Sequence, residues 1–153
     1  YERILVPLDG SKVGEAALPH VEELVSKLSP EIKVEVTLLQ VLSPTRPSVV
    51  GGYEVPAIVY TEEEMEETRK KAIDYLNKAG EGLRARGVTV TSKVGVGEAA
   101  EEIAKVAEEI KADLIAMSTH GRSGFSRWAF GSVTERMLRR GGKVPILVAR
   151  APR

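Results

Sequence analysis

Apolar positions in this chain fall into short unbroken runs separated by amphipathic stretches. Arg3-Ile4-Leu5-Val6-Pro7-Leu8-Asp9 is a β-branched run ending in Asp9-Gly10-Ser11. After it, Gly14, Ala17, Leu18, Val21, Leu24, Val25 and Leu28 recur at spacings of three and four, which predicts a helix with one apolar face. Val34 to Val41 predicts a second strand. Residues Ser43 to Tyr60 hold Pro44, Pro47, Pro56 and the pair Gly51-Gly52, and so predict a long irregular excursion of the kind that serves as a lid or binding segment. Thr61-Glu62-Glu63-Glu64 is a capping box opening a long charged helix, with Met65, Ala72, Leu76, Ala79 and Leu83 as its buried stripe. Strands are predicted over Val88–Val94, Ala112–Ser118 and Val144–Val148, and helices over Glu98–Ile110 and Ser132–Arg139.

The resulting order, βαβαβαβαβ with strands that are apolar throughout, predicts a parallel sheet covered by helices on both faces. Right-handed crossovers allow the strand order 3-2-1-4-5, which sets the first and fourth strands side by side where the winding reverses. Ligands of such sheets bind outside the carboxyl ends of the strands at that point. Asp9 and the turn Ser118–Gly121 then face each other across one crevice.

The second of these segments carries the chemistry. Ser118-Thr119-His120-Gly121-Arg122-Ser123-Gly124 runs on to Gly131-Ser132-Val133, joining a strand to a helix through Gly-rich backbone. Free N–H groups and the positive end of a helix dipole suit phosphate. The same residues also serve a purely structural purpose, because Ser132-Val133-Thr134-Glu135 is a capping box. Asp9 has two roles open to it in the same way, holding a sugar hydroxyl or hydrated metal, or capping the helix near Ser11. His20 is expected to be a partly buried helix residue, and His120 either donates to an anion or orients the turn.

Composition narrows the classes. At 153 residues with 42% hydrophobic and 29% charged, one domain with a full core is expected. The 22 basic and 22 acidic residues give no bulk charge to attract nucleic acid or an anionic membrane. Cysteine is absent, which removes thiolate nucleophiles and thiolate metal sites and fits a reducing interior. No apolar run has the length of a membrane span, and the first apolar run already reads as a strand, so a cytoplasmic protein without a signal peptide is expected.

Other nucleotide and phosphate chemistries on this architecture fail on what they require. A phospho-accepting receiver domain needs an aspartate at the end of its third strand, where this chain has Val94-Gly95. A Walker loop needs Gly-Lys-Ser or Gly-Lys-Thr, but Gly142-Lys143 leads into Val144-Pro145. Gly95-Val96-Gly97-Glu98-Ala99-Ala100 meets a loose dinucleotide pattern after the wrong strand, with no acid at the end of the fourth to hold a ribose, and is expected to be a tight turn near the pocket. No Ser/His/Asp arrangement and no paired histidines at metal spacing support a dedicated hydrolase.

Across essentially its whole length the chain resembles the universal stress proteins. The resemblance is carried by Val6-Pro7-Leu8-Asp9-Gly10-Ser11, Ser118-Thr119-His120-Gly121-Arg122-Ser123-Gly124, Gly131-Ser132-Val133 and the closing Val144-Pro145-Ile146-Leu147-Val148. ATP-binding members carry Gly, two residues, Gly, nine residues, then Gly followed by Ser or Thr. Gly121, the nine-residue gap and Gly131-Ser132 match that pattern, while Ser118 stands where the first glycine would be. A serine there either crowds the ribose or supplies a new hydrogen bond.

The resemblance implies a Rossmann-like fold of the adenine nucleotide alpha hydrolase-like class. It implies that Pro7 and Asp9 border the adenosine, Asp9 near the ribose, and that Val41 meets the adenine through backbone groups. Gly121, Gly131, Ser132 and Val133 would hold the phosphates through N–H donors, with Mg or Mn bridging phosphate oxygens. It further implies a homodimer through Val144–Val148 and a cytoplasmic, ATP-binding stress-response or signalling protein whose hydrolysis is at most slow. Two alternatives stay open: a dimeric scaffold that binds no nucleotide, and a metal-dependent phosphohydrolase using Asp9.

Overall fold

The computed structural model describes residues 2–119 and 132–151, with residues 46–50 and 54–58 described by backbone alone. Five parallel strands form the main sheet: β1 (Arg3–Leu8), β2 (Glu35–Leu42), β5 (Thr89–Val96), β6 (Leu114–Ser118) and β7 (Ile146–Ala149). They lie in the order β5-β2-β1-β6-β7, the expected 3-2-1-4-5 in terms of these five strands. Alternation along the strands feeds two cores. Ile4, Val6, Leu8, Leu38, Leu114 and Ala116 pack on one face beneath α1 (Ala17–Lys27), α2 (Glu62–Ala79) and α3 (Glu81–Ala85). Leu5, Leu39, Ile115 and Met117 pack on the other beneath α4 (Ala99–Glu109) and α5 (Ser132–Arg140). Both faces of the central strands β1 and β6 are thus removed from water, which is why these two are apolar along their inner lengths, each fully buried Leu or Ile contributing about 2 kcal/mol, while the edge strand β5 keeps exposed Thr89 and Thr91.

Four expectations are corrected in detail. The segment Ser43–Tyr60 is not an irregular excursion: β3 (Thr45–Val50) and β4 (Tyr53–Val59) pair antiparallel as a separate two-stranded sheet. The residues that look like breakers build it. Gly51 and Gly52 adopt φ of 60° and 81°, as a two-residue hairpin turn requires, and the register shifts between Arg46 and Ser48, at Pro47. The charged helix divides at Gly80, so that Leu83 is delivered to the core by the short α3. The Thr61 cap itself is as expected, Thr61 Oγ1 accepting from Glu64 N and Glu64 Oε1 accepting from Thr61 N, both at 3.1 Å. The last strand begins after Pro145, whose carbonyl accepts from Ile115 N at 3.0 Å, and runs on to Ala149. His20 is exposed on α1.

Candidate functional site

The winding of the sheet reverses between β1 and β6, which pair at Ile4 with Leu114 and Leu5 with Ile115. Here β1 ends in Asp9-Gly10-Ser11, and a 3-10 turn, Val13–Ala16, precedes α1. Asp9 is half-buried, and its Oδ1 accepts from Ser11 N at 2.9 Å and from Ser11 Oγ at 2.6 Å. Ser11 Oγ in turn accepts from Gly14 N at 2.9 Å. Asp9 thus uses one oxygen in an Asx-type turn and does not cap the helix: the 3-10 turn and α1 begin at Lys12 and Ala16 without a side-chain cap. Gly14 is glycine for a steric reason, since a Cβ there would collide with Asp9 Oδ1.

Ser118 closes β6 on the face that carries α1, the face of Ala116 and opposite to that of Met117. Its Oγ donates to Gly14 O at 2.7 Å and accepts from Ala17 N at 3.2 Å. Its carbonyl accepts from Thr134 Oγ1 at 2.8 Å, which fixes the first turn of α5 against the end of β6. Beyond it, Thr119 is buried at 3% exposure. Its N–H donates to Ala149 O at 2.9 Å, while its Oγ1 accepts from Ala151 N at 3.1 Å.

On the side of α2, Tyr75 OH donates to Glu15 Oε2 at 3.1 Å. Burial pushes the Tyr75 phenol well above its ordinary range, and the Glu15 carboxylate, by its charge and its hydrogen bond, and the Asp9 charge push it the same way. The phenol thus stays a neutral donor held against two carboxylates.

Val41 is half-buried near the end of β2, beside Gly95 of β5, and packs with the second core. Gly97 N donates to Leu42 O at 2.9 Å, and the Glu102 side chain lies where a Cβ on Gly95 or Gly97 would meet it, at 3.2 Å in each case. The Gly95–Gly97 pair is accordingly a tight turn filled by the chain's own side chain. Glu98 caps α4 by accepting from Glu101 N at 2.8 Å and pairs with Arg136 of α5 at 2.9 Å. The capping bond first, and then Arg136, hold its carboxyl below the usual carboxylate range. Gln40, paired with Leu8 and Val94, has a buried Oε1 without a hydrogen-bond partner among the described residues, and its Nε2 lies 3.5 Å from where a Cβ on Gly10 would stand.

Of the residues singled out in the sequence, Pro7, Asp9, Val41 and Ser118 gather at the carboxyl ends of β1, β2 and β6. Ser132 is exposed as the first residue of α5, and Val133 packs on the second core. Gly121 and Gly131, together with His120, Arg122 and Ser123, lie outside the described residues. Sequence reasoning missed Ser11, Gly14, Glu15, Tyr75 and Thr134. The only signals were a serine three residues before a glycine and an aromatic next to Leu76 in a helical stripe. Among the described residues no three His, Asp or Glu side chains are grouped to hold a metal, and no helix is long and apolar enough to cross a membrane.

Residues 1–150 match the model of the universal stress protein family. A universal stress protein of Methanocaldococcus jannaschii is 30% identical over 153 residues, covering 100% of this chain and 84% of its own length. A second one from the same organism is 30% identical over 159 residues, covering 98% of this chain and 95% of its own. Its solved structure superposes with a TM-score of 0.76 at 27% identity, over 99% of this chain and 97% of that one. The same fold recurs in a universal stress protein from Archaeoglobus fulgidus solved in complex with dAMP, at a TM-score of 0.63 and 22% identity over 97% of this chain and 98% of that one. With a family match over nearly the whole chain and relatives that span it from end to end, this chain belongs to the universal stress protein family.

Proposed function

We propose that this chain is a single-domain, cytoplasmic, dimeric stress-response protein that binds ATP in the crevice above β1 and β6, with Mg or Mn bridging the phosphates and hydrolysis at most slow. The observation that carries the reading is the engagement of Ser118. Its hydroxyl is committed to Gly14 and Ala17 on the face of α1, whereas the first turn of α5, with Ser132 and Val133, belongs to the other face. The serine in place of the first motif glycine therefore supplies hydrogen bonds within the protein and does not compete for the space above α5.

The surroundings support the same ligand. Asp9 uses Oδ1 within its turn, leaving Oδ2 to accept from a ribose hydroxyl. Backbone at Val41 would read the adenine edge, and N–H groups at Gly121, Gly131, Ser132 and Val133 would hold the phosphates. Such donors read phosphate without counting it strictly, so ADP, AMP and cyclic nucleotides belong to the same ligand class. The related structure solved with dAMP binds a nucleotide of that class. The place of the last strand at the edge of the sheet, where unpaired backbone N–H and C=O groups invite pairing, supports dimerisation through it.

Calorimetric titration of ATP with magnesium into protein stripped of co-purified nucleotide tests the reading. Micromolar binding that vanishes in Gly131→Val is the expected result. Absence of heat and of thermal shift at millimolar ATP overturns it in favour of a scaffold. Many turnovers per minute with Mg or Mn, lost in Asp9→Asn, would instead establish a phosphohydrolase. A monomer in sedimentation at micromolar concentration overturns the dimer.

A further inference from the structure

We infer that Ser118 is a positioning residue for Asp9: its hydroxyl latches the turn that carries the carboxylate, and so the side chain that departs from the glycine motif builds the nucleoside half of the site. The functional meaning of this inference rests on the nucleotide reading above.

The connection is a continuous relay. Ser118 Oγ donates to Gly14 O, Gly14 N donates to Ser11 Oγ, and Ser11 Oγ donates to Asp9 Oδ1, at 2.7, 2.9 and 2.6 Å. The carbonyl of Gly14 and the carboxylate of Asp9 can only accept, and the N–H groups of Ala17 and Gly14 can only donate, so the direction of each of these bonds is determined. Gly14 is the junction, because its N–H faces one serine and its carbonyl the other. It is also buried, and it leaves beside the carboxylate the space that a Cβ would fill. A displacement of Gly14 therefore moves both Ser11 Oγ and the wall against which Asp9 rests.

Ser118 also reaches the other half of the crevice, since its carbonyl takes the Thr134 hydroxyl at 2.8 Å. One residue thus ties the Asp9 turn and the first turn of α5 to the same strand end, using its side chain for the first and its backbone for the second. Replacing the side chain releases only the Asp9 half. A glycine at this position would restore the motif and dissolve the latch.

The test compares wild type, Ser118→Ala, Ser118→Gly and Ser11→Ala, the last of which cuts the relay without touching β6. ATP and inorganic tripolyphosphate, each with magnesium, are titrated calorimetrically, and the carbon-13 carboxyl resonance of Asp9 is recorded in nucleotide-free protein. Loss of the latch is expected to weaken ATP about tenfold, as befits two hydrogen bonds of ordinary net strength. Tripolyphosphate affinity should stay within about twofold in the same variants, and the Asp9 resonance should move in all three. A Ser118→Gly protein that binds ATP as tightly as wild type or more tightly overturns the inference, as does an unmoved Asp9 resonance. Equal weakening of ATP and tripolyphosphate also overturns it, since that marks a general loss of structure. If wild type binds neither ligand, the nucleotide reading fails, and the Asp9 resonance alone decides whether the latch exists.

Discussion

Two glycine turns stand at the carboxyl edge of this sheet, and they are built in opposite ways. At the end of β5, Gly95 and Gly97 leave room for Glu102, a side chain only a few residues further along, and the space is filled locally. At the end of β1, Gly14 leaves room for Asp9, and the turn is then tied to Ser118, 104 residues away. The first turn is a way of starting α4. The second ties the ends of β1 and β6 together through a part-buried side chain, whereas the distant ties of the first are a backbone bond from Gly97 N to Leu42 O and the exposed pair of Glu98 with Arg136, so the two turns differ in what fills the space beside their glycines and in how far their ties are buried.

Substituting a glycine in each turn gives the largest contrast. In Gly14→Ala the new methyl meets the Asp9 carboxylate and Ser11 Oγ, both held in the same hydrogen-bonded turn, and a loss of about 2 kcal/mol of unfolding free energy is expected from overpacking. ATP binding should be lost with it. Gly97→Ala places a side chain at φ 145°, strained whatever the surroundings, at about 1.5 kcal/mol. Its nucleotide affinity should stay within about twofold of wild type. Urea unfolding and calorimetry on the two variants check both statements. Equal loss of nucleotide affinity in the two would erase the distinction between the turns.

The same contrast explains what was legible in the sequence. The strands, the helices and the order 3-2-1-4-5 follow from local periodicity and the handedness of crossovers, and both act within a few tens of residues. Asp9 and Ser118 were recognisable as opposite walls because strand order alone places them. Ser11, Gly14, Glu15, Tyr75 and Thr134 were not, since each acts through a single contact whose partner sits on another element and leaves no period behind. The hairpin over Thr45–Val59 was misjudged for a different reason. Pro47 and Pro56 argue against a strand inside a sheet, but not in a two-stranded ribbon with free edges, and Gly51-Gly52 marks a turn only once strands flank it.

A smaller effect separates the two turns by pH. Tyr75 is a neutral donor to Glu15 beside Asp9, with its phenol raised from an ordinary value of 10.0 by burial first and then by the two carboxylates. A raised value in the folded state means that the stabilisation is complete below pH 10 and is lost as pH climbs above it, because the unfolded chain ionises first. Tyr75→Phe should cost about 1 kcal/mol at pH 7 by removing the bond to Glu15. It should also flatten the alkaline decline between pH 10 and 11.5. Unfolding curves across that range measure both, and an unchanged alkaline slope would show that other tyrosines account for it.

The smallest effect belongs to the tie between the Gly97 turn and α5. Glu98 and Arg136 meet at 2.9 Å with the arginine side chain 65% exposed, whereas Thr134, at 3% exposure, makes the corresponding tie at the Asp9 crevice. Solvent screening leaves an exposed pair little to contribute, so most of what Glu98 does must come from accepting the Glu101 N–H at the start of α4. Its carboxyl is held below the ordinary 4.5, which places the stabilisation above that pH and removes it as pH falls through the lowered value. Glu98→Gln should therefore lower the melting temperature slightly at pH 7, and the difference should shrink as pH falls below 4.5 through the lowered value, where wild type loses the same charge. Adding 0.5 M salt should leave most of the pH 7 difference in place, because a capping bond is screened far less than an exposed ion pair. A difference that disappears in salt would assign the effect to Arg136, and the Gly97 turn would then depend on α5 as the Asp9 turn depends on β6.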